Sequence, residues 1–133
     1  MITMKELIGK HDLKDLPQEH QDNLYILLER VNNVRSLWGK SMTVTSGYRS
    51  MEEHLAIYAK KGITDKTKIP TKSKHLFGQA VDIFDPDLSL TKWLKENNSQ
   101  RLIDIKFWCE EGNKNWVHFQ ISPPNSGNRW FLP

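Results

Sequence analysis

Apolar residues recur at helical spacing through the first third of the chain. Leu24, Leu27, Leu28, Val31, Val34 and Trp38 fall on one stripe of a 3.6-residue period, and Gly39 follows as a stop. Asp15-Leu16-Pro17-Gln18 supplies the start signals. Asp15 can cap, Pro17 suits a first turn, and Gln18 stands three residues after the cap. One long amphipathic helix is predicted, its stripe facing the core, after a short helix around Met4 to Ile8.

The pattern then shortens. Met42-Thr43-Val44-Thr45 alternates as a strand and runs into Ser46-Gly47-Tyr48-Arg49-Ser50, where Gly47 permits a tight turn. Ser50 and Glu53 form a capping box for a helix over Met51 to Lys61, closed by Gly62. Residues 63 to 74 are polar and broken by Pro70, and predict a mobile loop. Gln79 to Phe84 reads as a strand with Ala80, Asp82 and Phe84 on one face and Val81 and Ile83 on the other, ended by Asp85-Pro86. Ser89 can cap a short helix carrying Leu90, Trp93 and Leu94. Asn97-Asn98 breaks it, and Ser99 to Asp104 adds another helical turn. Ile105 to Glu110 and Trp116 to Ile121 read as two strands joined by a hairpin loop over 111 to 115. Pro123 to Pro133 is read as irregular, pinned by Trp130 and Phe131. The fold class is α+β, a small antiparallel sheet flanked by helices, with no internal repeat and no linker.

Composition narrows the chemistry. At 133 residues the chain suits one domain. Cys109 is the sole cysteine, which excludes an intramolecular disulfide and a cysteine-rich zinc ribbon. Any metal must be held by histidine and carboxylate. No apolar run approaches the roughly 18 residues of a membrane span, and no signal peptide is visible at the N-terminus. The expectation is a protein made in the cytoplasm, without a membrane partner and monomeric. The net charge is only +3, yet Lys60, Lys61, Lys66, Lys68, Lys72 and Lys74 crowd the segment before His75. A solvated loop accounts for them, as does attraction to an anionic surface such as cell-wall polymer. No aromatic interleaving accompanies them, which argues against nucleic acid.

Two imidazoles and one carboxylate stand on or beside predicted strands. His75 and Asp82 flank Gly78, and His118 lies on the last strand. Three such ligands with an open fourth position suit a catalytic zinc, and could also form a facial triad for non-haem iron. An unpaired Asp82 among small and apolar neighbours would be costly, so it wants a cation. His11, His20 and His54 read as structural. Arg49, between a strand end and a helix start, is a rigid guanidinium suited to clamping a carboxylate.

Ser46-Gly47-Tyr48-Arg49-Ser50, then Ser73-x-His75-x-x-Gly78-x-Ala80-x-Asp82, then Trp116-Val117-His118 resembles the zinc D-alanyl-D-alanine carboxypeptidases and L-alanyl-D-glutamate endopeptidases. That family includes many phage endolysins and shares its fold with the hedgehog signalling domain. The resemblance covers about Thr43 to Ile121. It implies Zn2+ on His75, Asp82 and His118, with Arg49 and Ser73 contacting substrate. It implies peptidoglycan stem peptides as partners, and action at the bacterial wall after release or as a virion component. Many members carry an acidic general base three residues before the last histidine, where this chain has Asn115. Some phage relatives place a glutamate at the end of the preceding strand, here Glu110 or Glu111. A hairpin centred on Asn113 would pair Glu110 with Trp116 and Trp108 with His118, which puts Glu110 on the metal side. Glu110 is therefore the expected base. Asn115 also leaves room for a non-catalytic, zinc-stabilised module that binds wall peptides or a partner protein.

Overall fold

A computed structural model describes residues 1–133. Helix α1 (Met4–Ile8) is opened by a capping box between Thr3 and Glu6. Helix α2 (Gln18–Trp38) follows, ending on Gly39 in the left-handed region. Its start differs from the sequence expectation. Asp12, not Asp15, is the capping side chain, and it caps a 3-10 turn over Leu13–Asp15. Asp15 is absorbed in that turn, and Pro17 occupies the cap position of α2 without a side-chain hydrogen bond. Gln21 instead reaches back to the Leu16 carbonyl at 2.9 Å.

Strand β1 (Val44–Ser46) leads into α3 (Met51–Lys60), where the Ser50–Glu53 capping box forms as expected. The connection to the next strand is ordered around two 3-10 turns, Lys66–Lys68 and Lys74–Phe77, with Ile69 buried between them. Strand β2 (Ala80–Asp85) extends one residue beyond the expected end. Asp85 is buried and accepts from the Leu90 and Thr91 amides and the Thr91 hydroxyl at 3.0, 2.9 and 2.6 Å. It thereby satisfies the orphan amides that begin α4 (Ser89–Lys95), a role Ser89 does not take. Asn97 and Asn98 adopt left-handed conformations between α4 and α5 (Gln100–Ile105), the break their sequence implied.

Strands β3 (Trp108–Glu110), β4 (Asn115–Gln120) and β5 (Trp130–Phe131) complete a five-stranded sheet of order β1-β2-β4-β3-β5. Every pair is antiparallel except β3 with β5. The sheet is therefore mixed, and the chain end is a strand rather than an irregular tail. Cys109 N–H donates to the Arg129 carbonyl and Glu111 N–H to that of Phe131, both at 2.7 Å. The Trp130 indole donates to Ser99 Oγ at 2.8 Å. A two-residue strand carries no alternation to read, and its backbone partners lie twenty residues upstream.

One face of the sheet is the core. Val81 and Ile83 of β2 and Val117 and Phe119 of β4 pack with Leu24, Leu27, Val31 and Val34 of α2. Each such side chain withdrawn from water contributes about 1.5–3 kcal/mol. Strand alternation then sends Asp82, His118 and Gln120 to the opposite face. There the 70–78 segment and the chain end cover them, so β2 is buried on both faces apart from Phe84.

Candidate metal centre

Asp82 and His118 are directly opposed in the β2–β4 register, and His75 arrives from the turn before β2. Gly78 ends that turn with φ +72°, and a Cβ there would meet the His20 carbonyl oxygen at 2.9 Å. A side chain is thus excluded both by conformation and by space. The result gathers the three residues singled out in the sequence. One potential ligand atom from each of His75, Asp82 and His118 lies within 4.8 Å of the others. All three are buried, with 4 to 8% of their surface exposed.

The hydrogen bonds fix which imidazole nitrogens carry protons. His75 Nδ1 lies 2.9 Å from the Gly47 carbonyl, which can only accept, so Nδ1 is protonated and Nε2 is left with a lone pair. That Nε2 faces Asp82 Oδ1 at 3.3 Å. Gln120 donates its amide to the Ser122 carbonyl at 2.9 Å, which turns Oε1 toward His118 Nε2 at 3.0 Å. His118 Nε2 therefore donates, and a neutral His118 presents the lone pair of Nδ1 to Asp82 Oδ1 at 2.9 Å. Three acceptors then converge with no proton among them. Only an added proton or a metal cation relieves that arrangement. Two imidazole nitrogens and a carboxylate are a donor set that zinc accepts, and outer hydrogen bonds to a backbone carbonyl and an amide are the usual means of orienting such ligands. The residues fit the metal that the resemblance implies.

The electrostatics agree. Burial opposes ionisation of Asp82, but the hydrogen bonds that His118 and His75 make to it once protonated, and the charge they then carry, outweigh it and hold its carboxyl far below the usual range. Burial likewise opposes a charge on His118, yet the bond to Asp82 and its charge push that imidazole up, with Glu110 adding to the push.

Arg49 stands beside the cluster. Its N–H donates to the His75 carbonyl at 3.1 Å, its Nε to Ser46 Oγ at 3.1 Å, and a terminal nitrogen lies 4.0 Å from Asp82 Oδ2. His54, read from the sequence as structural, is buried and holds this arginine. Its Nε2 donates to the Pro70 carbonyl at 2.7 Å, leaving Nδ1 to accept from Arg49 at 3.4 Å. Burial lowers the His54 pKa, the Pro70 carbonyl opposes this, and the Arg49 charge adds to the lowering, in keeping with the neutral ring that its two hydrogen bonds require. Gln120 and His54 are the residues that sequence reasoning missed. Gln120 carried one available signal, its place two residues beyond His118 on the same strand face.

The hairpin register differs from expectation. Trp108 opposes Gln120 and Cys109 opposes Phe119, two residues removed from the predicted pairing. A shift of two preserves the face of every side chain. Glu110 accordingly lines the groove that contains His118 and Gln120, about 940 Å³ in volume and bordered by Ser73 and the 123–133 segment. Glu111 points away and pairs with Lys95 at 2.8 Å. Asn115 is exposed, has φ +73° and opposes Asp85.

Fold and cluster together define an α+β domain with a His–Asp–His centre whose His118 lines a groove. The chain belongs to the VanY family of D-alanyl-D-alanine carboxypeptidases, whose family model matches residues 18–125. It is thus a member of a carboxypeptidase family directed at the stem peptides of peptidoglycan. No curated protein matches the chain. No helix is long and apolar enough to cross a membrane.

Proposed function

We propose that this protein is a zinc-dependent peptidase that hydrolyses peptide bonds in the stem peptides of bacterial peptidoglycan, as a D-Ala-D-Ala carboxypeptidase or an endolysin-type L-alanyl-D-glutamate endopeptidase. The observation that carries the proposal is the convergence of His75 Nε2, Asp82 Oδ1 and His118 Nδ1 with their other hydrogen bonds already satisfied. Those three atoms would hold the ion. A zinc in such a site polarises a carbonyl and lowers the pKa of a water to about 7. Glu110, on the same groove, takes the proton of the attacking water and returns it to the leaving amine. Arg49, fixed by Ser46 and His54, presents positive charge beside the centre, where it meets either a substrate carboxylate or the developing oxyanion. Ser73, on the groove wall, offers a further hydrogen bond to the peptide. The groove, about 940 Å³ in volume, has room for more than a terminal dipeptide.

Asn115 supports a second reading. The position where many relatives carry their base is exposed and neutral here, as a zinc-stabilised binding module would have it. Mass spectrometry of purified peptidoglycan after digestion, with chelator and after zinc is restored, tests both. Zinc-dependent release of new amino termini supports the hydrolase and identifies the bond. Stoichiometric zinc without any cleavage selects the binding module.

A further inference from the structure

Between Lys60 and Lys74 six lysines accompany a single carboxylate, Asp65, while the whole chain is only +3. The remainder of the chain is therefore net negative, and the positive charge is concentrated here. Asp65 is spent internally. It accepts from the Thr67 amide at 3.0 Å and the Thr67 hydroxyl at 2.7 Å to cap the 3-10 turn. None of the six lysines forms an ion pair; the ion-paired cations of the protein are elsewhere. Five of them are exposed and Lys74 is half-buried.

The segment is built rather than loose. Ile69 is buried, and the Pro70 carbonyl is tied to His54 at 2.7 Å. Its position relative to the groove is also defined. Lys72 and Lys74 line the groove with Tyr58, and Lys61 Nζ lies 5.1 Å from the Tyr58 ring centroid. Uncompensated ammonium groups on a fixed scaffold make a surface whose field attracts a polyanion and brings it to the rim of the groove.

We propose that the Lys60–Lys74 segment is a binding surface for a phosphodiester polymer of the polyol-phosphate kind attached to the cell wall, and that it holds the groove against its substrate. Lysine is suited to this as a compact point charge that meets phosphates without requiring a planar geometry. A nucleic acid fits less well, because the segment from Lys60 to Lys74 contains no aromatic residue and so offers no run of stacking platforms among its charges. A lipid surface fits less well, because the segment's Ile69 is turned inward and no apolar face accompanies the charges.

The binding step is independent of hydrolysis, so it can be read without turnover. Poly(glycerol phosphate) is titrated against the zinc-loaded wild type and a Lys60→Gln, Lys66→Gln, Lys68→Gln variant, none of whose altered positions lines the groove. A lysine at an anionic surface is worth about 5-fold in affinity. The variant is expected to lose about ten-fold or more in affinity for the polymer at low salt, and its rate on a soluble stem peptide is expected to match the wild type. Sedimentation with intact walls should exceed that with walls stripped of phosphodiester polymer by acid. A loss below ten-fold, or equal binding to stripped walls, overturns the proposal, as does a duplex oligonucleotide that binds as tightly as the polymer. Absence of peptide cleavage would overturn the hydrolase and leave the binding result intact.

Discussion

Asp82 Oδ1 and His118 Nδ1 face each other at 2.9 Å across directly opposed positions of adjacent antiparallel strands. Their separation is set by the ladder itself, since paired residues of neighbouring strands bring their Cβ atoms to about 4.5–5.5 Å. The carboxylate and one imidazole of the centre are thus placed by the stiffest part of the molecule.

Zinc should stabilise this protein more as pH rises. In the metal-free protein the folded-state pKa of His118 is raised, so its contribution is complete below the unfolded value near 6.5 and is lost as pH climbs through the folded value. The depressed Asp82 contributes above its unfolded value, near 3.8, and loses that contribution only in strong acid. The metal-free centre is therefore most favourable between about pH 4 and 6.5, and above that range the cation replaces the missing proton. At a free zinc concentration 100 times its Kd the gain is about 2.7 kcal/mol. Calorimetry with and without chelator should show a Tm difference that is small at pH 5.5 and widens toward pH 8.

Glu110→Gln should retain zinc and lose about 100-fold or more in the rate of peptide cleavage, the usual scale of a general base. Glu111→Gln should leave the rate unchanged, because it breaks only a half-exposed pair with Lys95 worth about 0–1 kcal/mol. Zinc content by atomic absorption alongside cleavage kinetics separates the two. The reverse result would place the base on the other side of β3.

Gln120→Leu should weaken zinc binding by about 10–100-fold, because it removes the acceptor that leaves His118 Nδ1 free of a proton. Gln120→Glu keeps an acceptor at that atom and should retain more affinity than the leucine variant. Competition with a zinc indicator measures both, and circular dichroism checks that the fold persists.

Gly47→Ala should be severely destabilising despite the small change. A Cβ there would lie 2.2 Å from the Leu7 carbonyl oxygen, which accepts from the Tyr48 amide at 2.7 Å. Backbone has to move, and overpacking of this kind costs about 1–3 kcal/mol, more where no flexible side chain can yield. The shift also displaces the Gly47 carbonyl from His75 Nδ1, so chemical denaturation should show lost stability and zinc affinity should fall with it.

Much of the architecture was legible in local pattern. The period of α2, the Ser50–Glu53 capping box, the alternation of β2 and the Asn97-Asn98 break each depend on residues within one or two turns of one another, and all four stand in the structure. His75, Asp82 and His118 were singled out by residue type and strand placement together with the family resemblance, and the structure brings one ligand atom of each within 4.8 Å of the others. Glu110 kept its face although the hairpin register moved by two, since side-chain direction in a strand has a period of two. Three things depended on the tertiary structure. Pairing of β5 with β3 brings together segments that no local signal relates. The capping of α4 by Asp85 rather than Ser89 follows from the path of the chain out of β2. The tautomers of His75 and His118 are set by Gly47 and Gln120, whose oxygens reach the rings only after the sheet has closed. The sequence by itself thus determined which side chains are available to the centre, because residue type and strand phase are local. Only the tertiary structure decided which atom of each faces the other two, because a proton's place on an imidazole depends on partners that folding brings within about 3 Å.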